Sequence, residues 1–286
     1  MSLKLKKKDL FFFGNKNISN LDIFNSLKKI QAHETDVLYV HTELNFGYPN
    51  LEISRKDLLK YLYEIIISLN VPTIIFPTYT FSFCNNENFN IKESKTSMGI
   101  LNEFARCQND GIRSVDPLMS NFLIGKNKYL VKDIGKYSIG NNSTFDLLYI
   151  SNLKTKFLFF GPKIGDCFTF MHYMEQRLKI PYRYNKKFYG LINNGKKIYK
   201  DEYYLFVRYS EVYPSCGSYI YENLLFEKNL SLSQKVGKTN ISIVEMKTAY
   251  NCFKDLIDLS PAFFIRDIFN KKNKKNFFNV KNMISL

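Results

Sequence analysis

The 286-residue sequence is defined first by what it lacks. No apolar run approaches the ~18–20 residues that span a bilayer. The best, YLYEIIISL over 61–69, is short and holds a glutamate, so no membrane span is expected. The five cysteines (Cys84, Cys107, Cys167, Cys216, Cys252) form no C-x-x-C pair, and their odd number and wide spacing fit reduced thiols in a cytoplasmic protein without a metal site. Phosphate-cradling glycine loops are missing in both the G-x-x-x-x-G-K-[ST] and the G-x-G-x-x-G form, which disfavours P-loop enzymes and Rossmann oxidoreductases. The G-x-S-x-G elbow of triad hydrolases is also missing, so Cys167 is the one candidate nucleophile, weighed against an ordinary packed cysteine. The lysine-rich start leads into Leu10-Phe11-Phe12-Phe13 but stops at Gly14 with no small-residue cleavage site, so no signal peptide is expected.

Acidic residues are scarce relative to basic ones: 26 Asp and Glu face 41 Lys and Arg, a formal charge of +15. Such a chain is expected to meet something anionic, whether nucleic acid, a membrane surface or a phosphorylated small molecule. Residues 1–9 carry +3 and residues 268–286 carry +5, leaving +7 on the stretch between them. The expected organisation is a basic N-terminal tail over 1–19, a single domain over 20–267 and a basic C-terminal tail over 268–286. No helix-turn-helix, RRM, KH or zinc-finger signature accompanies the charge, so nucleic acid is not the expected partner. A non-catalytic basic module binding RNA or an anionic surface through its tails is the competing reading.

Hydrophobic periodicity predicts a helix over 21–30 capped by Asn20, a doubly covered strand at 37–40 ending in His41-Thr42-Glu43, a helix over 55–69 and a buried strand at 73–76. That is the strand–helix–strand rhythm of an α/β layer. A short helix is predicted over 99–107, a third buried strand at 156–160, and a helix over about 168–179 ended by Pro181. Residues 183–240 read as antiparallel strands and loops, and residues 244–257 as helix. The fold class expected is α/β, a central mixed sheet flanked by helices, with a β-rich C-terminal part.

Only three histidines are present. His33 reads as an exposed loop residue. His41 stands at the carboxyl end of a buried strand, the edge where α/β sheets gather ligands. His172 follows a strand and a glycine loop, and Glu175 lies three residues on, on the same helix face, where it can orient the ring. From spacing alone, a satisfied half-buried histidine is the plainer alternative. A group containing Tyr203, Tyr204, Arg208, Tyr209 and Tyr213 offers either an aromatic, basic surface for a base or sugar or ordinary strand tyrosines, and the second reading is preferred.

Four segments in order, VLYVHTELNFG (37–47), IIFPTYTFSF (74–83), MGILNEFARCQNDGIRSVDPLMSNFLIG (98–125) and FLFFGPKIGDCFTFMHYMEQRLKIPYR (157–183), resemble the aminoglycoside 3-N-acetyltransferase family, the antibiotic N-acetyltransferases unrelated to the GNAT fold. That family has a strand ending V-H-S-S-L, a P-T-x-T, an M-G before a helix, an R-S-x-H-P-x-x-S and an N-T-x-x-H-x-x-E. The resemblance implies direct acyl transfer from acetyl-CoA or another acyl-CoA to an amine, with no metal. A protonated amine is not nucleophilic, so the reaction needs a base that titrates near neutrality. By resemblance His172 is that base, Glu175 its partner, and His41 the family histidine at the strand end. Thr42, Glu43 and Leu44 would offer backbone N–H groups to the thioester or to CoA. Arg113, Ser114 and Ser120 are implied contacts to CoA, and Thr78 and Asp116 implied contacts to the acceptor.

Three departures bear on the acceptor and the acyl donor. Asp116 stands where the family has histidine, Glu43 replaces the second serine of V-H-S-S-L, and Phe168 replaces the asparagine before Thr169. The acceptor expected is an amino sugar, preferably linked to a nucleotide and used in surface-glycan biosynthesis, because a basic protein suits an anionic acceptor. An aminoglycoside antibiotic is the alternative. A homodimer is the assembly expected on frequency alone.

Overall fold

The computed structural model describes residues 6–266. It opens with a hairpin, β1 (Asp9–Phe13) and β2 (Lys16–Ser19), so the stretch expected as an N-terminal tail is largely folded. Its apolar residues have a destination: Leu10 and Phe11 are buried, and the Phe11 ring lies 5.5 Å from that of Phe46. The expected C-terminal tail over 268–286 falls outside the described residues. Helix α1 (Asn20–Lys29) is capped by Ser19 instead of Asn20. The Asp22 N–H donates to Ser19 Oγ (3.2 Å) and the Ser19 N–H to the Asp22 carboxylate (2.8 Å), a reciprocal capping box. Asn20 instead reaches back, accepting from the Lys8 N–H and donating to the Lys6 carbonyl.

The strand–helix–strand unit forms as the periodicity predicts, from β3 (Val37–Thr42), α2 (Arg55–Ile67) and β5 (Thr73–Pro77), with a two-residue β4 (Tyr48–Pro49) pairing back to β1. Next come β6 (Phe89–Asn90), α3 (Ile100–Arg106), β7 (Gly111–Arg113), β8 (Asn121–Gly125), α4 (Thr144–Ile150) and β9 (Thr155–Phe160). The helix expected over 168–179 is shorter, α6 (Phe170–Arg177), and a separate turn of helix, α5 (Ile164–Cys167), precedes it, because Phe168 leaves helical geometry to drive its ring into the core. The long hairpin β10 (Arg183–Asn193) and β11 (Ile198–Arg208) is followed by α7 (Gly217–Glu227), a helix inside the region read as strands and loops. The described chain closes with β12 (Ser231–Val236), β13 (Thr239–Glu245) and α8 (Met246–Leu259).

Seven strands form one sheet in the order β12-β13-β9-β3-β5-β8-β7, parallel across β9-β3-β5 and antiparallel elsewhere. It is the mixed sheet flanked by helices that the sequence predicts. The two-residue period of a strand sorts its side chains onto opposite faces. Leu38, Val40, Leu158 and Phe160 join α1, α2 and α3 in one core, while Val37, Tyr39, Phe157 and Phe159 join α4, α6, α7 and α8 in the other. Burial on both faces explains why these strands read as unbroken apolar runs. The chain leaves β3 through α2 to β5 on one side and returns as β9 on the other. The carboxyl ends of β3, β5 and β9 therefore open a crevice where the strand order reverses, the place where α/β sheets bind ligands.

Candidate active site

Two cavities meet at this crevice. The first, about 470 Å³, is lined by His41, Thr42 and Glu43 from the end of β3, Pro77 from β5, and Ser97, Gly99 and Asn102 around the start of α3. Asn102 ties the strand ends together: its Oδ1 accepts from Thr42 Oγ1 (2.6 Å) and its Nδ2 donates to the Pro77 carbonyl (2.8 Å). Gly161 lets β9 turn closely over β3, since at φ 108° a Cβ would overlap the Glu43 carbonyl oxygen. No lysine or arginine lines it. Hydroxyl and amide groups without cations suit the uncharged pantetheine arm of CoA better than its phosphates.

His41 is a wall of this cavity and not a titrating group near neutrality. It is 5% exposed, stacks on Phe159 at 5.1 Å and meets Phe168 edge-on at 6.4 Å. Burial pulls its pKa down to about 3, so the ring is neutral. Its buried Nε2 has no hydrogen-bond partner among the described residues. The catalytic role expected for His41 is thereby narrowed to that of a neutral polar edge beside this cavity. Phe168, the departure from the family's asparagine, is one of the rings that dries it.

The second cavity, about 270 Å³, is lined by His172 and Glu175 of α6, Tyr182, Arg183 and Arg208 of the hairpin region, and Asp166, Cys167 and Thr169. The side chain of His172 is 40% exposed, and its Nδ1 lies 2.9 Å from Glu175 Oε2. Glu175 itself is 3% exposed. Burial alone would raise its pKa, but the hydrogen bond and charge of His172, the Arg183 guanidinium and the Tyr182 hydroxyl together hold it below the usual value. An ionised carboxylate only accepts, so His172 donates from Nδ1, and in the neutral ring that leaves the Nε2 lone pair free. Tyr182 Oη donates to Glu175 Oε1 at 3.0 Å, and Arg183 Nε stands 2.8 Å from Oε2 without aiming its N–H at it, a charge contact and not an aligned hydrogen bond. The pairing expected from the three-residue spacing is therefore present, with two further partners that spacing does not reveal.

Asp166, Cys167 and Thr169 line both cavities and so form the partition between them. The Glu222 carboxylate on α7 holds this segment, accepting from the Ile164 and Gly165 N–H groups at 3.1 and 3.2 Å, and Tyr219 Oη donates to Asp166 Oδ1 at 2.5 Å. Burial, then Asp166, Glu43 and Glu222, push the Cys167 thiol well above its ordinary range. It stays protonated, which disfavours the nucleophilic reading.

The remaining expected contacts turn out to be internal. Arg113 is buried with every guanidinium nitrogen engaged, by Ser120 Oγ (3.1 Å), the Ile91 and Ser94 carbonyls (3.0 and 2.7 Å) and the Thr78 carbonyl (2.9 Å). It braces β5 against β8 and is not offered to CoA phosphates in either cavity described above. Ser120 Oγ donates to the Thr78 carbonyl, Thr78 Oγ1 to the Ser120 carbonyl, and Ser114 Oγ accepts from the Asn121 N–H. Asp116 Oδ1 caps a turn, accepting from Leu118, Met119 and Ser138, so it too faces inward and not toward an acceptor. The Glu43 N–H is spent on the Phe160 carbonyl (3.0 Å) and is not a free donor, while the Leu44 side chain packs on the α1–α2 side. Among the tyrosines, Tyr203 and Tyr209 are buried and Tyr204 stacks on Tyr137, whereas Arg208 reaches the cavity.

A helix-borne His–Glu pair opening beside a strand-end cavity, on this mixed sheet, defines an acyltransferase of the antibiotic N-acetyltransferase type. The model of the aminoglycoside 3-N-acetyltransferase family matches residues 71–258, and the chain belongs to that family, whose acyl donor is acetyl-CoA. Among solved structures it is similar to the YokD protein from Bacillus subtilis (18% identity, covering 90% of this chain and 95% of that one, TM-score 0.67). It is also similar to AAC-IIIb in binary complex with CoASH (14%, 84% and 96%, 0.68) and to AAC-VIa bound to sisomicin (15%, 84% and 97%, 0.69). No curated protein matches it by sequence. Among the described residues no helix is long and apolar enough to cross a membrane, and no group of three or more His, Cys, Asp or Glu side chains is placed to hold a metal ion.

Proposed function

We propose that this chain transfers the acetyl group of acetyl-CoA directly to the primary amine of an amino sugar. The carrying observation is the His172–Glu175 contact at 2.9 Å inside a cavity that shares a wall with the His41 cavity. The thioester lies on the His41 side and the amine on the His172 side. As the amine nitrogen attacks the thioester carbonyl, His172 Nε2 takes its proton, the C–S bond breaks, and CoA leaves as the thiolate or, once reprotonated, the thiol. Glu175, held ionised by its neighbours, stabilises the imidazolium that forms.

The similarity to AAC-VIa bound to sisomicin supports an aminoglycoside as the acceptor. A second reading, a nucleotide-linked amino sugar of surface-glycan biosynthesis, is supported by charge. The cavity sets Arg183 and Arg208 against Asp166 and Glu175, with no surplus of acid to hold a polycation. Release of CoA thiol from acetyl-CoA, measured with aminoglycosides and with nucleotide-linked amino sugars, separates the two. Turnover with neither class rejects both.

A further inference from the structure

Arg183 and Arg208 are cross-strand partners at the open end of the β10–β11 hairpin. Like charges set directly opposite one another in a sheet destabilise it, so the placement calls for compensation. Arg183 has it in Glu175, which His172 and Tyr182 already share. Arg208 has only solvent and the longer-range charge of Glu175: among the described residues its guanidinium makes no ion pair and no hydrogen bond, and it stands where the His172 cavity joins a second hollow of about 250 Å³. That hollow is lined by Lys186, Phe188, Tyr184, Tyr209 and Glu211, with Tyr184 and Tyr209 stacked at 4.7 Å. Counting both hollows, Arg183, Arg208 and Lys186 balance Asp166, Glu175 and Glu211. Asp166 and Glu175, however, are already occupied by Tyr219 and by the His172 group, whereas Arg208 and Lys186 make no ion pair.

We propose that the acceptor carries an anionic group as well as its amine, and that Arg208, assisted by Lys186, holds that anion while His172 receives the amine. The chemical class is a zwitterionic amino-sugar phosphate or phosphodiester. This rests on the amine-acetylation reading for its amine half and on the arginine placement for its anion half.

Binding and turnover test the halves separately. Titration calorimetry in the presence of CoA compares glucosamine, glucosamine 1-phosphate and kanamycin on the wild type, Arg208→Ala and Arg208→Lys. The wild type is expected to bind glucosamine 1-phosphate at least about tenfold more tightly than glucosamine, and Arg208→Ala to lose that preference, with partial recovery in Arg208→Lys. An Arg208→Ala effect on CoA affinity alone would assign the residue to the cofactor's phosphates and overturn the proposal. So would a wild-type preference for kanamycin, or equal affinity for glucosamine with and without its phosphate. If glucosamine 1-phosphate binds as expected but acetyl-CoA is not turned over with it or any other amine, the acetylation reading fails while the anion subsite stands.

Discussion

At the scale of single residues, the proposed chemistry rests on His172, and the two histidines of the crevice differ sharply in their surroundings. His172 is half-exposed and carries a carboxylate partner, so His172→Ala should lower kcat about 10²- to 10⁴-fold at a stability cost of only about 1–2 kcal/mol, since Tyr182 and Arg183 still hold Glu175. Glu175→Gln removes the charge that fixes the ring and leaves Arg183 without its counter-ion. A fall in kcat together with a stability loss on the order of 2 kcal/mol in urea melts is expected. His41 is buried neutral with its pKa lowered from 6.5 to about 3. Between those values the unfolded chain binds the proton that the folded chain refuses, so this contribution to stability is complete above pH 6.5 and is lost progressively as pH falls toward 3. The loss is about 1.4 kcal/mol per pH unit at most. His41→Phe should flatten the stability difference between pH 7 and pH 5, and an unchanged slope in denaturant titrations at the two pH values would reject the buried-neutral assignment.

At the scale of elements, the 164–169 segment is the partition, and α7 holds it. Glu222→Ala strips the acceptor from one buried and one partly buried N–H group and should cost about 1–3 kcal/mol. Because Thr169 precedes α6 and Asp166 faces both cavities, kcat should fall with it. Full kcat in a destabilised Glu222→Ala protein would show that α7 merely packs. Much of this level was legible beforehand, because β3, β5 and β9 are covered on both faces and announce themselves as apolar runs. The separate α5 and the late start of α6 were not, since Phe168 leaves helical geometry for a tertiary reason, the aromatic pocket formed by His41, Phe159 and Tyr221. Helix α7 was hidden because it is apolar around much of its circumference and lacks a side-chain cap. In the site, the His172–Glu175 pair followed from three-residue spacing. The fates of Arg113, Ser114, Ser120, Thr78 and Asp116 did not, because a buried structural hydrogen-bond network and a ligand-binding motif use the same residue types. Arg183 and Arg208 come together through strand register 25 residues apart, which no local pattern encodes.

At the scale of the whole molecule, the charge of +15 is unevenly distributed along the sequence, +8 of it on residues 1–9 and 268–286, while the arginines and acids lining the His172 cavity balance. Net charge therefore says little about catalysis, and the sign of the groups facing the acceptor says more. The central claim is direct acetyl transfer by His172 between two cavities sharing one partition. The most direct measurement is thiol release from acetyl-CoA with an accepted amine, compared in wild type, His172→Ala and Cys167→Ser of verified fold. Wild type and Cys167→Ser are expected to turn over at comparable rates with no acetylated enzyme trapped, while His172→Ala falls by about two orders of magnitude or more. Near-wild-type turnover without His172, or an acetyl-thioester on Cys167, would contradict it.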